Sequence, residues 1–427
     1  MTYFKNSPLL YAKIRDINKS DTQAPIIKGT DIFMKKLITM LEQRKNEMIE
    51  IRRHLHQHPE LSFKEKNTAA YIENFYRGKP VKIETNVGNG YGIIVTINGG
   101  KPGKTIALRA DFDALPIQEE ADVPFKSVND GVMHACGHDA HTAYLLVLAD
   151  CLIELKDELA GTIKIIHQHA EEAPPGGAKS IVEGGYLDDV EAIFGIHVMP
   201  IAPAGTIGYR SEYTFSGRSY FNLKIKARGG HGSSPHKAND AIVAGAHFVT
   251  TVQTIISRRL DPMETGVVTI GSFDGKGTFN VIKDSIEIEG DIRYYNSQTE
   301  KLISQELERI VKGIEVTFGV TCELTYEIGY PPLYNDPDLT KFVVDTLTQI
   351  NDNDIKNIIE VPKMTPSEDF AYYSEKIPGA YYFIGCTPKG IENPYFNHHP
   401  KFDIDEDSLI VAAKSVAYIV TNYLSNN

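Results

Sequence analysis

The segments Thr142-Ala-Tyr-Leu-Leu-Val-Leu-Ala-Asp-Cys-Leu-Ile-Glu-Leu155 and Gly161-Thr-Ile-Lys-Ile-Ile166 set the expected architecture of this chain. The first is rich in Leu, Val and Ala over the length of a helix, and the second is a short apolar run that favours a strand. A further strand is predicted before them at Thr105–Arg109. After them, a short helix at Ala178–Glu183 precedes a strand at Ala192–Ile196. Strands that alternate with helices predict a largely parallel sheet, so the expected fold class is α/β.

Length and composition bound the class of protein. A chain of 427 residues is longer than one compact domain usually is, so we expect two domains. The formal net charge of −12 argues against nucleic-acid binding and against a basic membrane-binding face. No apolar run reaches transmembrane length and the first residues lack a signal-peptide core, which predicts a cytoplasmic protein. Residues 1–30 are polar and are predicted to form a surface arm.

Two strands near residue 100 are predicted to form a hairpin. Gly92–Ile97 and Thr105–Arg109 are joined by the turn-forming residues Asn98-Gly-Gly-Lys-Pro-Gly103. The end of this joint, Gly-Lys-Thr105, resembles the end of a nucleotide-binding P-loop. However, Asn98 occupies the place of the first glycine and a strand follows instead of a helix, so no nucleotide site is expected.

A second region begins near residue 213. Its predicted strands and helices follow the order β-α-β-β-α-β, which is typical of a ferredoxin-like domain. The predicted segments are strands at Tyr220–Lys226, Val267–Ile270, Ser285–Glu289 and Thr321–Ile328, with helices at Asn239–Arg258 and Thr299–Phe318. We expect this domain to span residues 213–332 as an insert. Residues 31–212 and 333–427, beginning with one helix over about 31–57, would form the main domain.

Residues that bind metals are spread over several segments of the main domain. The candidates are Cys136 and His138 within Met133–His141, Glu172 in His169-Ala-Glu-Glu172, His197 after a strand, and His398 in Asn397-His-His-Pro400. Thiol, imidazole and carboxylate donors suit zinc or manganese. Each candidate follows a predicted strand, at the sheet edge where open α/β proteins place their sites. Five donors exceed the need of one zinc ion and suit two cations about 3.5–4 Å apart.

Two acidic pairs accompany these donors. Asp111 and Asp113 could supply a third carboxylate ligand or support the ligands, and Asp113 is expected to orient a metal-bound imidazole. A strand-end cap or a salt bridge with Arg109 would also fit. Glu171 is the candidate general base beside Glu172, against the simpler interpretation of two solvated acids before a loop. His141 is expected to play a supporting role.

Other catalytic arrangements are weaker. His54, His56 and His58 could suggest another metal site, since residues i and i+4 share a helix face, but no carboxylate or thiol cluster supports it. The segment Gly229-Gly-His231-Gly-Ser-Ser-Pro235 does not form the Gly-x-Ser-x-Gly elbow of serine hydrolases, which occurs nowhere in the chain.

Taken together, these residues resemble the M20 metallopeptidase family, and in particular its D branch of aminoacylase-like amidohydrolases. That branch includes hippurate hydrolases, N-acetyl amino acid deacetylases and auxin-conjugate hydrolases. The matching segments are Arg52–Leu61, Leu108–Pro116, Met133–His138, His169–Glu172, Gly195–His197, Gly230–His236, Glu368–Phe370 and His398–Pro400.

The resemblance implies roles for individual residues. Cys136, His138, Glu172, His197 and His398 match the ligands of two divalent cations, and Glu171 matches the general base. The insert would be a lid and dimerisation domain, so a homodimer or higher homo-oligomer is expected. His231 matches the residue that polarises the scissile carbonyl, and Asn280 and Arg293 match contacts to the substrate carboxylate and the oxyanion. The neighbouring His399 leaves open which histidine binds metal, and we favour His398.

The expected activity is hydrolysis of N-acyl-L-amino acids, such as acetyl or benzoyl derivatives, to a carboxylate and a free amino acid. Zinc or manganese would activate the water, with cobalt or nickel as alternatives. A dipeptidase or carboxypeptidase on the same dinuclear scaffold is the second hypothesis. A catalytically inactive binding protein is the third.

Overall fold

The structure, a computed structural model, describes residues 28–425. The predicted arm lies almost wholly outside the described residues. The helices of the described chain are α1 (Lys28–Gln43), α2 (Lys45–Gln57), α3 (Lys66–Tyr76), α4 (His138–Glu154), α5 (Gly177–Glu183), α6 (Ala241–Thr254), α7 (Ser297–Phe318), α8 (Pro337–Thr348), α9 (Ala371–Ser374) and α10 (Asp407–Ser425).

The strands are β1 (Lys82–Val87), β2 (Gly92–Asn98), β3 (Lys101–Asp111), β4 (Ala160–Gln168), β5 (Ala192–Pro203), β6 (Thr206–Tyr209), β7 (Glu212–Phe215), β8 (Gly217–Lys226), β9 (Gly230–His231), β10 (Gly266–Asp274), β11 (Val281–Ile282), β12 (Ser285–Tyr294), β13 (Thr321–Ile328), β14 (Leu333–Asn335), β15 (Asn357–Glu360) and β16 (Gly379–Thr387).

The described chain forms two compact units. The first contains residues up to 214 together with 334–363 and residues from 369 onward, and the second contains residues 215–333 and 364–368. We call them the main unit and the inserted unit. Within residues 28–425, no helix combines the length and the apolar character that crossing a bilayer requires.

The main unit is built on an eight-stranded sheet with the order β1-β2-β4-β3-β5-β16-β6-β15. Its central strands are parallel, because β3 pairs in parallel with both β4 and β5, and β5 pairs in parallel with β16. Buried residues of these strands and of α4 and α10 form one continuous apolar core. Parallel strands require a covering layer on their faces, and the almost wholly buried α4 is part of that cover.

The predicted hairpin near residue 100 is wrong. β2 pairs with β4 in antiparallel fashion, and β4 separates it from β3. The glycine-rich joint instead crosses the start of β4, where the Gly99 amide donates to the Gly161 carbonyl at 2.9 Å and the Lys101 amide donates to the Leu159 carbonyl at 3.1 Å. The local turn residues were compatible with a hairpin. However, β4 is apolar and is buried between β2 and β3, so these two strands do not pair with each other.

The single helix predicted over residues 31–57 is also wrong, since the chain breaks at Arg44 into α1 and α2. The Arg44 side chain bonds to Glu47 at 2.7 Å and to Asp150 on α4 at 2.8 Å. With the break, α1 packs on α10 while α2 packs on α4. One straight helix would direct its apolar face along a single line and could not cover both neighbours.

The inserted unit is a four-stranded antiparallel sheet with the order β10-β12-β8-β13. Side chains of β8 alternate between buried and more exposed positions, so one face of the strand is buried. Phe221 and Leu223 from that face, together with Ile288 on the neighbouring β12, pack with residues of both α6 and α7, such as Phe248 and Leu307. This arrangement is the ferredoxin-like order predicted from the sequence, and the α/β fold class with such an insert is confirmed.

Candidate metal centre

The turn that carries Cys136 and His138 depends on the glycine between them. Gly137 has a left-handed φ of +96°, and a Cβ atom there would lie 2.4 Å from Cγ2 of Val198. Glycine satisfies both demands because it has no side chain. The helix α4 begins directly after it at His138, earlier than the predicted start at Thr142. The turn therefore holds a thiol and an imidazole together at the first turn of a buried helix.

All five predicted donor side chains come together at the carboxyl edge of the main sheet. The Cys136 sulfur lies 3.4 Å from Nε2 of His197, and Oε1 of Glu172 lies 3.3 Å from Nε2 of His398. Within the trio Cys136, His138 and His197, the donor atoms lie within 4.8 Å of one another, and the same holds for Cys136, Glu172 and His398. Cys136 belongs to both trios.

The imidazoles are oriented by their second nitrogens. Nδ1 of His138 lies 3.2 Å from a carboxylate oxygen of Asp113 and 3.0 Å from the carbonyl of the same residue. Nδ1 of His197 lies 2.8 Å from the carbonyl of Val198. A proton on each Nδ1 leaves Nε2 with a lone pair facing the other donors. Nε2 of His138 is buried and has no hydrogen-bond partner among the described residues, so the site fits a cation bound there.

The electrostatic environment of His138 favours positive charge. Burial alone would lower its pKa, but the carboxylates of Asp111, Asp113 and Glu172 outweigh burial and raise the pKa to about 10. A proton therefore remains on this imidazole when no other cation is present. A divalent cation satisfies the same carboxylates and would displace that proton.

The thiol and the second imidazole are held in their neutral forms. Burial, followed by the charges of Glu172 and Glu171, raises the pKa of the Cys136 thiol well above its ordinary value. Burial and the nearby His141 and His138 lower the pKa of His197 well below its ordinary value. Neutral imidazole is the form that binds metal, and a thiol beside carboxylates becomes a thiolate ligand when a cation balances the charge.

A buried network supports the centre from behind. Nδ1 of His141 lies 2.6 Å from Asp111, and the Val198 amide donates to Nε2 of His141 at 3.0 Å. Both ring nitrogens of His141 have hydrogen-bond partners, so neither is available to bind a metal. This agrees with the supporting role predicted for His141. Arg109 bonds to Asp111 and donates to Asp369 at 2.8 Å. Arg109 thus forms its salt bridge with Asp111 and not with Asp113. Asp113 contacts His138 instead.

The two adjacent glutamates follow a left-handed residue. Ala170 has a φ of +54°, so the chain turns sharply before Glu171. Both carboxylates lie in the centre, because donor atoms of Glu171, Glu172 and His138 are within 4.8 Å of one another. Asp113 fixes the far side of the turn by accepting from the Glu172 amide at 2.9 Å. Side chains that would diverge along a regular strand therefore share one site.

The structure distinguishes the two neighbouring histidines near the C-terminus. His398 has a φ of +68° and its amide donates to the Ala135 carbonyl at 2.7 Å. His399 instead stacks on Tyr395 with ring centroids 4.3 Å apart, and its Nδ1 accepts from the Lys401 amide at 3.0 Å. Only His398 of the pair faces the donor cluster, as favoured from the sequence.

The predicted substrate contacts all lie in the inserted unit. His231 is exposed, and its Nδ1 lies 2.8 Å from the hydroxyl of Ser233. The Gly232 amide donates to the Asn280 carbonyl at 2.8 Å, which keeps Asn280 beside His231. Arg293 lies on β12, where it donates to Asp291 at 2.7 Å. The structure therefore brings Asn280 and His231 together and places Arg293 on the four-stranded sheet.

Sequence reasoning missed two supporting residues. The side-chain Nδ2 of Asn397 donates to the Cys136 carbonyl at 3.0 Å, which links two donor segments. Glu65 is fully buried and accepts from the Ala170 amide at 2.8 Å. The pattern Ser62-Phe-Lys-Glu65 is a typical signature of a helix cap at the surface, and it pointed away from a buried role. His56, considered as a metal ligand with its neighbours, lies 2.8 Å from Asp139.

Comparisons with known proteins agree with this geometry. The profile of Peptidase family M20/M25/M40 matches residues 107–422. The protein named amidohydrolase YhaA of Bacillus subtilis (strain 168) is 43% identical over 391 residues, which cover 92% of this chain and 98% of YhaA. The N-acetyl-L-cysteine deacetylase of the same strain is 37% identical over 373 residues, 87% of each chain.

Solved structures give the same result. A crystal structure described as an aminohydrolase from methicillin-resistant Staphylococcus aureus has a TM-score of 0.87 and 55% identity, covering 91% of this chain and 99% of its own. The Bacillus subtilis YxeP protein, described as a dinuclear metal binding peptidase from the M20 family, has a TM-score of 0.78 and 32% identity. It covers 90% of this chain and 100% of its own.

The fold and the site together define a metal-dependent hydrolase that acts on amides. The chain belongs to the M20 family of peptidases and amidohydrolases. The predicted family and enzyme class are therefore confirmed, and divalent metals are the cofactors that the family implies.

Proposed function

We propose that this protein hydrolyses N-acyl-L-amino acids, with acetyl or benzoyl as the acyl group, to a carboxylate and a free amino acid. The observation that carries the proposal is the convergence of one thiol, three imidazoles and two adjacent glutamates in one cluster, which is buried apart from the partly buried Glu172 and the exposed His398. The similarity to an N-acetyl-L-cysteine deacetylase over 87% of the chain supports an N-acyl amino acid as substrate.

We propose that Cys136, His138, Glu172, His197 and His398 bind two divalent cations. Zinc or manganese suits this mixture of sulfur, nitrogen and oxygen donors, and cobalt or nickel would substitute. Bound cations would supply Lewis-acid activation of water and of the scissile carbonyl. Asp113 would keep the first imidazole oriented through its Nδ1.

The remaining steps belong to side chains of this protein. Glu171 accepts a proton from the attacking water and delivers it to the leaving nitrogen, as a buried carboxylate beside the reacting atoms can do. His231 donates to the carbonyl oxygen as negative charge develops on it. Asn280 and Arg293 bind the substrate carboxylate and the oxyanion. Arg293 is already paired with Asp291, so it reaches a substrate only by sharing or exchanging that partner.

A substrate panel tests the proposal. The protein is assayed with N-acetyl and N-benzoyl amino acids and with unblocked dipeptides, each in the presence of zinc, manganese, cobalt or nickel. Turnover of the acylated compounds alone supports the proposal. Preference for the free-amino dipeptides would replace it with a dipeptidase or carboxypeptidase, and no turnover of either class would favour a binding protein.

We also propose that a second copy of the chain binds the inserted unit, giving a homodimer or a higher homo-oligomer. The edge strand β10 and helix α6 expose apolar side chains, among them Ile242 at 40%, Val243 at 44% and Val267 at 42%. An unpaired strand edge with apolar neighbours favours association. Light scattering of the wild type and of Val267→Lys tests this, and a monomeric wild type would contradict it.

A further inference from the structure

Glu65 is a buried carboxyl group outside the predicted donor set. It lies directly before α3, is 0% exposed, and has no ion-pair partner among the described residues. Its Oε1 atom accepts from the Phe63 amide at 2.9 Å and from the Ala170 amide at 2.8 Å. Its other oxygen is buried without a hydrogen-bond partner in the described chain. Burial of such a group is unfavourable, which calls for a compensating role.

Both backbone amides that donate hydrogen bonds to Glu65 belong to residues in a left-handed conformation. Phe63 has a φ of +62° and Ala170 a φ of +54°. A residue with a Cβ atom adopts this conformation at a cost of about 1–2 kcal/mol, so the surrounding contacts must hold it. Ala170 directly precedes Glu171, and its conformation sets the direction in which the Glu171 side chain leaves the backbone.

The turn is held at both ends by a buried carboxyl group. Glu65 accepts from the Ala170 amide, on the near side of Glu171. Asp113 accepts from the Glu172 amide at 2.9 Å, on the far side. The Gly177 amide donates to the Ala170 carbonyl at 3.2 Å and closes the loop from a third direction.

We propose that Glu65 is a positioning residue that fixes the backbone turn at Ala170 and thereby aims Glu171 at the reacting water. This inference rests on the proposed function of Glu171 as general base. It assigns Glu65 no contact with the substrate or with a cation. The group acts as a neutral hydrogen-bond acceptor, since burial and the neighbouring Asp113 raise the pKa of Glu65 to about 8.

The test compares three variants of the full-length, metal-loaded protein. Glu65→Gln keeps a carbonyl oxygen as acceptor, whereas Glu65→Leu removes it. Glu60→Leu is the matched control, because Glu60 accepts from the Thr68 amide at 2.8 Å at the start of the same helix. We expect kcat to fall about 10- to 100-fold in Glu65→Leu, because small misplacements of a reacting group have effects of this size.

The KM value and the bound metal should stay within about twofold of wild type in Glu65→Leu, since ground-state binding is unchanged. Glu65→Gln should restore kcat to within about threefold of wild type, and the control should stay near wild type. Equal losses in Glu65→Gln and Glu65→Leu, or an equal loss in Glu60→Leu, would overturn the proposal. If Glu65→Leu does not fold, Glu65→Asp, which shortens the reach to Ala170, replaces it with the same expected fall in kcat.

A crystal structure of Glu65→Leu separates this inference from the proposed function. Loss of the left-handed conformation at Ala170 supports the positioning role whatever the substrate is, and an unchanged turn overturns it. Absence of turnover in the wild type, by contrast, would end the proposed function and leave the structural comparison to decide the role of Glu65.

Discussion

The donor cluster of the main unit and the predicted substrate contacts of the inserted unit are held in different ways. In the donor cluster, His138 and His197 are buried and each has a fixed partner for its second nitrogen. In the inserted unit, His231 is exposed and Nδ1 of its imidazole contacts the neighbouring Ser233. The fold of the main unit therefore fixes the proposed metal donors, whereas the proposed substrate contact His231 is exposed on the inserted unit.

The difference has a topological cause. Parallel strands end at one edge, so residues distant in sequence, such as Glu172 after β4 and His197 on β5, meet within a packed framework. His231 lies instead on a two-residue strand paired only with the equally short β11. Short strands with few contacts hold a side chain less firmly than a buried network does. If this difference has functional consequences, substitutions in the inserted unit should change catalysis without changing metal binding.

The largest effect is expected at the proposed general base. Glu171→Gln keeps the size of the side chain but cannot accept a proton, so activity should fall about 10²- to 10⁴-fold. Metal content measured by elemental analysis should remain at the wild-type level. A variant with wild-type turnover would remove Glu171 from the proposed role, and loss of metal would show that it is a ligand.

The second largest effect on kcat is expected at His231 in the inserted unit. His231→Ala removes a hydrogen-bond donor to the developing oxyanion, and kcat should fall about 10²- to 10³-fold with metal content unchanged. His236→Ala is the matched control, since His236 is an exposed histidine in the same segment. Similar losses in both variants would indicate a general disturbance of the segment, and loss of metal in His231→Ala would contradict the division between the units.

Some parts of the site and the fold could be predicted from the sequence, and others could not. Cys136, His138 and Glu172 could be predicted because soft donors and carboxylates follow strand ends, and that pattern is visible residue by residue. The placement of β4 between β2 and β3 could not be predicted, because the turn residues of 98–103 suit both a hairpin and a crossover. The role of Glu65 depends on a left-handed Ala170 about a hundred residues away, and no local pattern records a conformation of that kind.

A smaller effect, on metal affinity, is expected at Asp113, which contacts a proposed metal ligand but is not itself one. Asp113→Asn preserves shape but removes the charge that orients His138, so metal affinity should weaken about 10- to 100-fold. Competition with a chromophoric chelator measures the change. Asp284→Asn in the inserted unit is the control, because Asp284 is an exposed carboxylate beside Lys283. Equal metal affinity in Asp113→Asn and wild type would show that the charge of Asp113 is dispensable for metal binding.

The smallest effect is a pH dependence of stability that originates in the main unit. Burial lowers the pKa of His167 to about 3, and the hydroxyl oxygen of Tyr76 lies 2.9 Å from its Nε2. The unfolded chain binds a proton at this histidine below about pH 6.5, whereas the folded chain does not until about pH 3. Stability should therefore decrease as the pH falls through that window, by about 1 kcal/mol between neutral pH and pH 5.5.

Denaturant unfolding at a series of pH values, performed on the metal-free protein and followed by hydrogen exchange in each unit, measures this dependence. His167→Gln keeps an acceptor for Tyr76 but does not titrate, so the slope of stability against pH should become shallower by the contribution of one proton. An unchanged slope would show that His167 is accessible to protons in the folded state. A slope seen equally in the exchange of the inserted unit would mean that the two units unfold together, and the contrast between them would then concern function and not stability.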